Sequence, residues 1–314
     1  MDNQTSDKFA LETALVKSLL SDHKASRRWK NIRFFTWIIL WAILLIALLY
    51  SPSEPQEKPG FGKSYVSLLR LDGVIMPNSQ FSATKVLPEL SQAFRDKSAK
   101  GVVLLINSPG GSPVQASIIH DKIEQLKKKY KKTVIVVAED TLASGSYLVA
   151  TAADKIFVNK DTVTGSIGVI MEGFGFTDAI AKLGITRRVF TAGQNKDRMD
   201  PFVAMKPADR EKIDGILNAV HQDFIADVIA GRGAKLSGDK KELFSGDFWT
   251  GTQAVKLGLA DGTANPWQAM QETFGTTYYR DYTPRPSFWE TVAKDIAMEM
   301  HLALPSGVRL QEVG

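Results

Sequence analysis

The sequence predicts an α/β protein with a largely parallel sheet, preceded by one transmembrane helix. From residue 63 onward, short apolar runs that end in turn residues alternate with segments of helical period. This is the pattern of buried parallel strands and their crossover helices. Before them, Phe34 to Tyr50 form an uncharged run of 17 residues. With 314 residues, 44% of them hydrophobic, the chain is long enough to bury a substantial core.

The uncharged run, FFTWIILWAILLIALLY, predicts a transmembrane anchor over residues 32–50. As a helix it reaches about 25 Å, close to the ~30 Å hydrocarbon core of a bilayer. Five basic residues lie within residues 24–33, directly before it, whereas two Glu and two Lys follow it before the next apolar run. The positive-inside rule therefore places residues 1–31 in the cytoplasm and exports the chain after Tyr50. A cleaved signal peptide is the alternative, and the long charged leader argues against it.

Residues 63–285 are predicted to form one α/β domain. A stiff, Pro-rich linker over residues 51–62 precedes it, and an amphipathic helix and tail over residues 286–314 follow it. Strands are predicted at SYVSLLRLDGVI, GVVLLINS, TVIVVAED, KIFVN, TGSIGVI and TRRVFTAG. Helices are predicted at VLPELSQAFRDK, PVQASIIHDKIEQLKKKY, SGSYLVATAA and FTDAIAKLGI, and in a long segment that begins near Pro207.

Composition excludes several kinds of chemistry. The chain has no cysteine, which rules out disulfides, thiol catalysis and cysteine-ligated zinc. Its four histidines do not share ligand spacing, so we expect no zinc site. A run of lysines between residues 127 and 132 is typical of a helix C-terminus, where positive charge interacts favourably with the helix dipole. Because no aromatic-rich RNA motif accompanies that run, we expect no nucleic-acid partner.

Two turns follow buried strands and are candidates for a ligand site. They are Asn107 to Ser112, which contains the sequence SPGG, and Leu142 to Ser146. Open parallel sheets bind ligands at the carboxyl ends of their strands. Paired glycines there let backbone N–H groups face a substrate with no side chain in the way. A simple tight turn is the alternative interpretation of SPGG.

Ser144 is the candidate nucleophile. It lies between Ala143 and Gly145, so its hydroxyl is accessible on both sides. The N–H groups of Gly111 and Gly145 are candidate donors to the oxyanion that forms during acyl transfer. An ordinary helix cap is the alternative role for Ser144. For Ser146, one residue further on, a satisfied hydroxyl at the helix start is the favoured interpretation.

The base that would activate Ser144 is not evident from residue types alone. His120 and His221 lie inside long amphipathic helices, and His23 and His301 lie near the ends of the chain. A Ser-Lys pair is the remaining variant of the same chemistry, because loss of hydration favours a neutral, basic amine. Lys196 is one candidate among many lysines. A surface lysine paired with the neighbouring Asp197 is the alternative interpretation.

Five motifs in order resemble peptidase family S49. They are SPGG, ASGSY, TGSIGV, NKDRMDPF and FWTGTQAVKLGLADG, and the resemblance covers Val66 to Gly262. It implies a ClpP/crotonase-like fold, a spiral of β-β-α units. The chain shows no internal duplication, so it resembles the form of the family with one domain per chain.

The resemblance also assigns roles to individual residues. Ser144 would be the nucleophile and Lys196 the general base. Ser166 would hydrogen-bond the lysine amine and orient it, and Gly111 and Gly145 would form the oxyanion hole. The chemistry would need no metal and no cofactor.

The activity implied is endopeptidase cleavage of remnant signal peptides after their release from exported proteins. The enzyme would be a ring-like homo-oligomer anchored in the bacterial cytoplasmic membrane, with its peptidase domain on the extracytoplasmic side. The family's usual glycine is replaced here by Ser146. Two other functions remain open from the sequence: a crotonase-like acyl-CoA enzyme and a catalytically silent membrane scaffold.

Overall fold

The computed structural model describes residues 29–45 and 64–284. Residues 29–45 form a helix, α1, whose side chains are all exposed. It contains most of the predicted anchor, and the rest of that anchor lies outside the described residues, as do residues 1–28, the linker and the C-terminal segment. Within the described residues, the helices fall short of the length and apolar content needed to cross a membrane.

Residues 64–284 fold as an α/β domain around one sheet of eight described strands. The strands are β1 (Tyr65–Asp72), β2 (Ala99–Ser108), β3 (Thr133–Ala143), β4 (Lys155–Val158), β5 (Val163–Gly165), β6 (Phe248–Thr250), β7 (Gly262–Thr263) and β8 (Tyr279–Asp281). The helices are α2 (Ala83–Arg95), α3 (Pro113–Tyr130), α4 (Gly145–Thr151), α5 (Thr177–Lys182), α6 (Pro207–Arg232), α7 (Lys240–Leu243), α8 (Gly251–Lys256) and α9 (Pro266–Phe274).

The strand order is β6-β5-β3-β2-β1-β8, with β4 and β7 branching from β3. The paired strands run parallel except for β6, which is antiparallel to β5. β3 changes its partner along its length. Its first half pairs with β4 through Val136 and Ile156, and its end pairs with β5 through Ala143 and Gly165. This change brings the end of β5 beside the turn that follows β3.

The central strands are buried on both faces, as their apolar runs predict. Val102, Leu104 and Ile106 of β2 belong to the larger cluster, which also contains buried residues of α2, α3 and α4. Val103 and Leu105 point to the opposite face and pack in a smaller cluster with residues of α9. Complete burial of both faces explains why β2 shows no polar alternation.

Four of the six predicted strands are confirmed as β1 to β4, the strand predicted at TGSIGVI is limited to Thr164 and Gly165 at the end of β5, and the last predicted strand is wrong. Residues 186–193, TRRVFTAG, form no strand, and Phe190 is 94% exposed. They lie in a segment, residues 169–206, which we call the arm; its only helix is the short α5, and most of its residues are exposed. A strand-like run needs a neighbouring strand to pair with and a surface to pack on. The arm offers neither within the described chain.

The C-terminal part of α6 is fixed to the domain by a buried arginine. Arg232 donates from Nε and Nη2 to the Gly258 carbonyl at 2.9 and 2.7 Å, and from Nη1 to Asp261 at 2.6 Å. Asp261 also accepts from the Ile156 N–H at 2.8 Å. Burial favours the neutral carboxyl, yet the hydrogen bonds from Arg232 and Lys235 hold the pKa of Asp261 below its usual range. The GLADG end of the fifth motif thus has a structural role.

Candidate active site

Ser144 lies at a sharp turn between β3 and α4. Its φ and ψ are 53° and −126°, a backbone conformation that costs a residue with a side chain roughly 1–3 kcal/mol. The turn is held by the Ser144 N–H, which donates to the Gly165 carbonyl at 2.9 Å. A serine on a strained strand-to-helix turn is the geometry of a nucleophile. Ser144 occupies the N-cap position, but its side chain makes no capping hydrogen bond, and it is partly exposed.

Ser166 is brought beside Ser144 by the pairing of β3 and β5. Ala143 and Gly165 are register partners at the ends of these parallel strands, so Ser144 and Ser166, the residues that follow them, lie side by side. Ser166 also has a positive φ of 49°, and its N–H donates to the Asp247 carbonyl at 2.7 Å. A Cβ on Gly165 would lie 2.5 Å from the Trp249 ring, so the packing of that ring requires glycine there.

The Gly111 and Gly145 amides lie close together and are free to bind a ligand. The loop containing Gly111 is held by Ile75, whose N–H donates to the Gly110 carbonyl and whose carbonyl accepts from Ser112, both at 2.7 Å. This pairing leaves the Gly111 amide on the side away from Ile75. A Cβ on Gly145 would lie 3.5 Å from the Gly111 nitrogen. In the described part of the chain neither amide donates a hydrogen bond, as an oxyanion hole requires.

Gly110 is a site residue that sequence reasoning missed. A Cβ there would lie 2.7 Å from both the Ala143 carbonyl oxygen and the Gly145 nitrogen, and 2.8 Å from the Ser144 Cβ. Its φ of 97° is also in the region that favours glycine. The first glycine of SPGG therefore permits the close approach of the two loops, whereas the second presents its amide. The double glycine was the available signal, and only its second member was assigned a role.

Ser146 is buried behind the site, and the expectation of a satisfied hydroxyl describes it. Its Oγ lies 2.7 Å from the Ser108 carbonyl oxygen and 2.8 Å from that of Ala143. It therefore donates a hydrogen bond rather than capping the free N–H groups of α4. Ser108 is also buried, and its Oγ accepts from the Gly110 N–H at 3.1 Å.

Lys196 is exposed in a turn of the arm. Its N–H donates to the Gly193 carbonyl at 3.1 Å, and its side chain makes no hydrogen bond or ion pair with any described residue. The alternative pairing with Asp197 is not formed; the Asp197 carboxylate instead lies 4.0 Å from the Lys206 Nζ. The geometry thus assembles Ser144, Ser166 and the two glycine amides, and it leaves the predicted base in solvent.

The histidines of the described chain are occupied elsewhere. The His120 Nδ1 lies 3.1 Å from Asp121, and the His221 Nε2 lies 2.9 Å from the Ile167 carbonyl oxygen. Among residues 29–45 and 64–284, no three His, Asp or Glu side chains are grouped to hold a metal ion. The other two histidines lie outside the described residues.

The fold and the site define an α/β protein whose geometry suits a serine hydrolase: a partly exposed serine on a strained turn beside two free amides. Comparisons with known proteins narrow this class. The profile of peptidase family S49 matches residues 126–274, and that of Clp protease matches residues 63–161. The S49 profile thus covers nearly half of this chain, and the α/β sheet fits the fold of the Clp protease family.

Several curated proteins are similar to this chain. A candidate signal peptide peptidase, SppA, of Enterococcus faecium is 31% identical over 227 residues, which cover 68% of this chain and 65% of that protein. The chloroplastic serine protease SPPA of Arabidopsis thaliana is 27% identical over 219 residues, covering 67% and 32%. A Brucella melitensis protein named as the Na(+)/H(+) antiporter NhaA is 41% identical over 217 residues, covering 67% of this chain but 29% of that protein. The chain thus matches less than two thirds of the length of each of these three relatives.

Proposed function

We propose that this protein is a serine endopeptidase with Ser144 as its nucleophile. The observation that carries the proposal is the strained turn at Ser144, next to the free amides of Gly111 and Gly145. The Ser144 hydroxyl attacks a peptide carbonyl, and the two amides stabilise the oxyanion that develops. The acyl-enzyme forms as the amine leaves, and water then hydrolyses it.

Lys196 is the proposed base. Its neutral amine accepts the proton of Ser144 during attack and returns it to the leaving amine, and the same amine then activates water. Ser166 lies beside Ser144 in the register of β3 and β5, where it can orient an amine that approaches the nucleophile. The assignment of Lys196 rests on the NKDRMDPF motif, since its side chain is exposed in the single chain.

A homo-oligomer, ring-like as in the family that the motifs resemble, would supply what the single chain lacks. The arm exposes large apolar side chains, among them Phe190 at 94%, Phe174 at 81% and Leu183 at 73%. An exposed apolar surface of this kind marks an interaction site. A second copy packed on the arm would remove water from around Lys196, which favours the neutral amine.

The proposed substrates are remnant signal peptides and other extended apolar peptides, cleaved at the bacterial cytoplasmic membrane. The helical residues 29–45 expose apolar side chains on every side, and the Thr36 hydroxyl donates to the Ile32 carbonyl at 2.7 Å. A polar group satisfied within its own helix is compatible with lipid. The positive-inside rule orients the domain outside the cytoplasm. Recovery of the full chain in alkali-washed membranes tests the anchor, and a freely soluble chain would contradict it.

Labelling by a fluorophosphonate, with mass mapping of the modified residue, tests the catalytic assignment. We expect the wild-type chain in detergent to be labelled at Ser144 and to cleave an apolar peptide. Ser144→Ala should lose both activities. Lys196→Arg keeps the positive charge but provides no neutral base, so it should lose cleavage by at least ~100-fold.

Two matched controls accompany these variants. Ser117→Ala removes another partly exposed serine hydroxyl, from α3, and Lys182→Ala removes another exposed lysine of the arm. Both should retain labelling and cleavage. Labelling at a different residue would refute the nucleophile, and full activity in Lys196→Arg would refute the base.

A further inference from the structure

A single buried hydroxyl connects the two loops that form the oxyanion hole. The Ser146 Oγ lies 2.7 Å from the Ser108 carbonyl oxygen and 2.8 Å from the Ala143 carbonyl oxygen, and Ser146 is completely buried. Ala143 immediately precedes the nucleophile, and Ser108 begins the SPGG turn. The hydroxyl proton therefore lies between one carbonyl of each loop.

The contact extends from Ser108 to the glycines of that turn. The Ser108 Oγ accepts from the Gly110 N–H at 3.1 Å, and Gly110 precedes Gly111, whose amide faces the site. The Ser108 carbonyl thus accepts a hydrogen bond from the Ser146 hydroxyl, and the Ser108 hydroxyl accepts one from the Gly110 N–H. Two buried serines form a continuous link from α4 to the glycine pair.

Strand pairing does not hold the two loops together at this point. The pair Ser108 and Leu142 is the last register pair between β2 and β3. Beyond it β2 turns away at Pro109, whereas Ala143 pairs with Gly165 of β5. The close approach of Gly110 to Ala143 limits how near the loops come, and the Ser146 hydrogen bond limits how far apart they move.

We propose that Ser146 is a positioning residue that fixes the distance between the Gly111 and Gly145 amides. Oxyanion stabilisation depends on donors that are already in place when charge develops, and such donors need support from the groups behind them. Loosening the link should therefore lower kcat and leave KM unchanged, because the ground-state substrate makes little use of the hole. This inference rests on the proposed function and adds to it a role for a residue that does not touch the substrate.

The test compares Ser146→Ala with Thr151→Val. Both variants delete a buried hydroxyl of α4 that lies within hydrogen-bonding distance of the carbonyl three residues before it, since the Thr151 Oγ1 donates to the Leu148 carbonyl at 2.6 Å. Only Ser146 also reaches across to the other loop. We expect Ser146→Ala to lower kcat and the rate of fluorophosphonate labelling about 10-fold, with KM unchanged. Thr151→Val should keep kcat within about 2-fold.

Thermal unfolding of each variant separates positioning from folding, and kinetics are measured where both are folded. Equal kcat in the two variants would overturn the proposal, as would a Ser146→Ala variant that changes KM alone. Ser146→Cys keeps a weak donor and should have a kcat between those of Ser146→Ala and the wild type. If Ser146→Ala does not fold, Ser146→Cys decides alone, and a wild-type kcat would overturn the proposal. A wild-type chain without labelling would instead refute the proposed function.

Discussion

The two halves of the proposed active site differ in how completely one chain builds them. The half around Ser144 is fixed by β3, β5 and the SPGG turn, with its backbone hydrogen-bonded to Gly165 and Ile75. The half that carries Lys196 belongs to the arm, which is held mainly by contacts within itself. In the arm the Phe176 and Phe202 rings lie 5.6 Å apart.

This difference indicates where each half obtains its order. Strain at Ser144 persists because the surrounding sheet fixes the turn from several sides. The arm has no comparable support, and its apolar side chains remain exposed. Preorganisation of the oxyanion hole is therefore a property of the chain, whereas preorganisation of the base would be a property of an assembly.

The largest effect is expected from Gly110→Ala, which acts on the half built by the chain. The new Cβ would meet the Ala143 carbonyl oxygen and the Gly145 nitrogen at 2.7 Å, so the two loops must separate. We expect labelling of Ser144 to slow by at least ~100-fold and the free energy of unfolding to fall by on the order of 3 kcal/mol. Labelling kinetics and denaturant unfolding measure the two effects.

Gly215→Ala is the matched control for this substitution. Gly215 lies within α6, and a Cβ there would meet nothing within 4 Å. It should leave labelling unchanged and raise stability by about 0.5–1 kcal/mol, since alanine is the better helix former. A Gly110→Ala chain that is labelled at the wild-type rate would show that the close approach of the loops does not matter to the site.

The two halves also differ in how well the sequence predicts them. Buried strands are visible as apolar runs, and Gly145 is adjacent to Ser144 in the chain, so this half follows from local patterns. The position of Ser166 was implied only by the family resemblance, because it depends on the pairing of β3 with β5. The choice between Gly110 and Gly111 depends on the backbone path of one loop, which residue types do not specify.

The structure of the arm is the part that the sequence predicts least well. The apolar residues of TRRVFTAG predicted a strand, yet the segment has no strand partner and Phe190 is exposed. A hydrophobic pattern indicates that a segment is stabilised by burial, but it does not indicate whether the segment packs against its own chain or against another. If the base acts only in an assembly, neither the hydrophobic pattern around it nor the structure of a single chain identifies it. The sequence motif that contains it is then the remaining evidence.

A smaller effect on activity is expected from Phe190→Ser, which acts on the arm. Removing the most exposed large apolar side chain of the arm weakens packing with a second copy. We expect a lower oligomer mass by sedimentation and about 10-fold less cleavage at dilute protein, recovered in part at high concentration. Thermal unfolding of the domain should change little, because Phe190 buries almost no area in the single chain.

Trp267→Ser provides the comparison, since Trp267 is 58% exposed on α9 outside the arm. This variant should keep the wild-type mass and activity. If Phe190→Ser keeps both as well, the arm is not the surface through which the copies associate. Loss of mass in both variants would point to a wider interface than the arm.

The smallest effect on activity is expected from Asp261→Asn, which acts on the helix that follows the arm. The Asp261 carboxylate accepts a hydrogen bond from Arg232 of α6 at 2.6 Å, and the pKa of Asp261 is held below its usual range. A lowered pKa stabilises the fold above the unfolded-state value of about 4, and this stabilisation is lost as pH falls through the folded-state pKa. At pH 7 the variant should lose on the order of 1–3 kcal/mol of unfolding free energy, and the difference should shrink below about pH 4. Asp161→Asn, at an exposed pair with Lys160, should show neither effect.

Cleavage by Asp261→Asn, per folded molecule, should stay near wild type, because Arg232 fixes the end of α6 far along the chain from the arm. A loss of cleavage with no loss of stability would instead mean that α6 sets the position of the arm, and the base would then depend on this chain as well as on its neighbour.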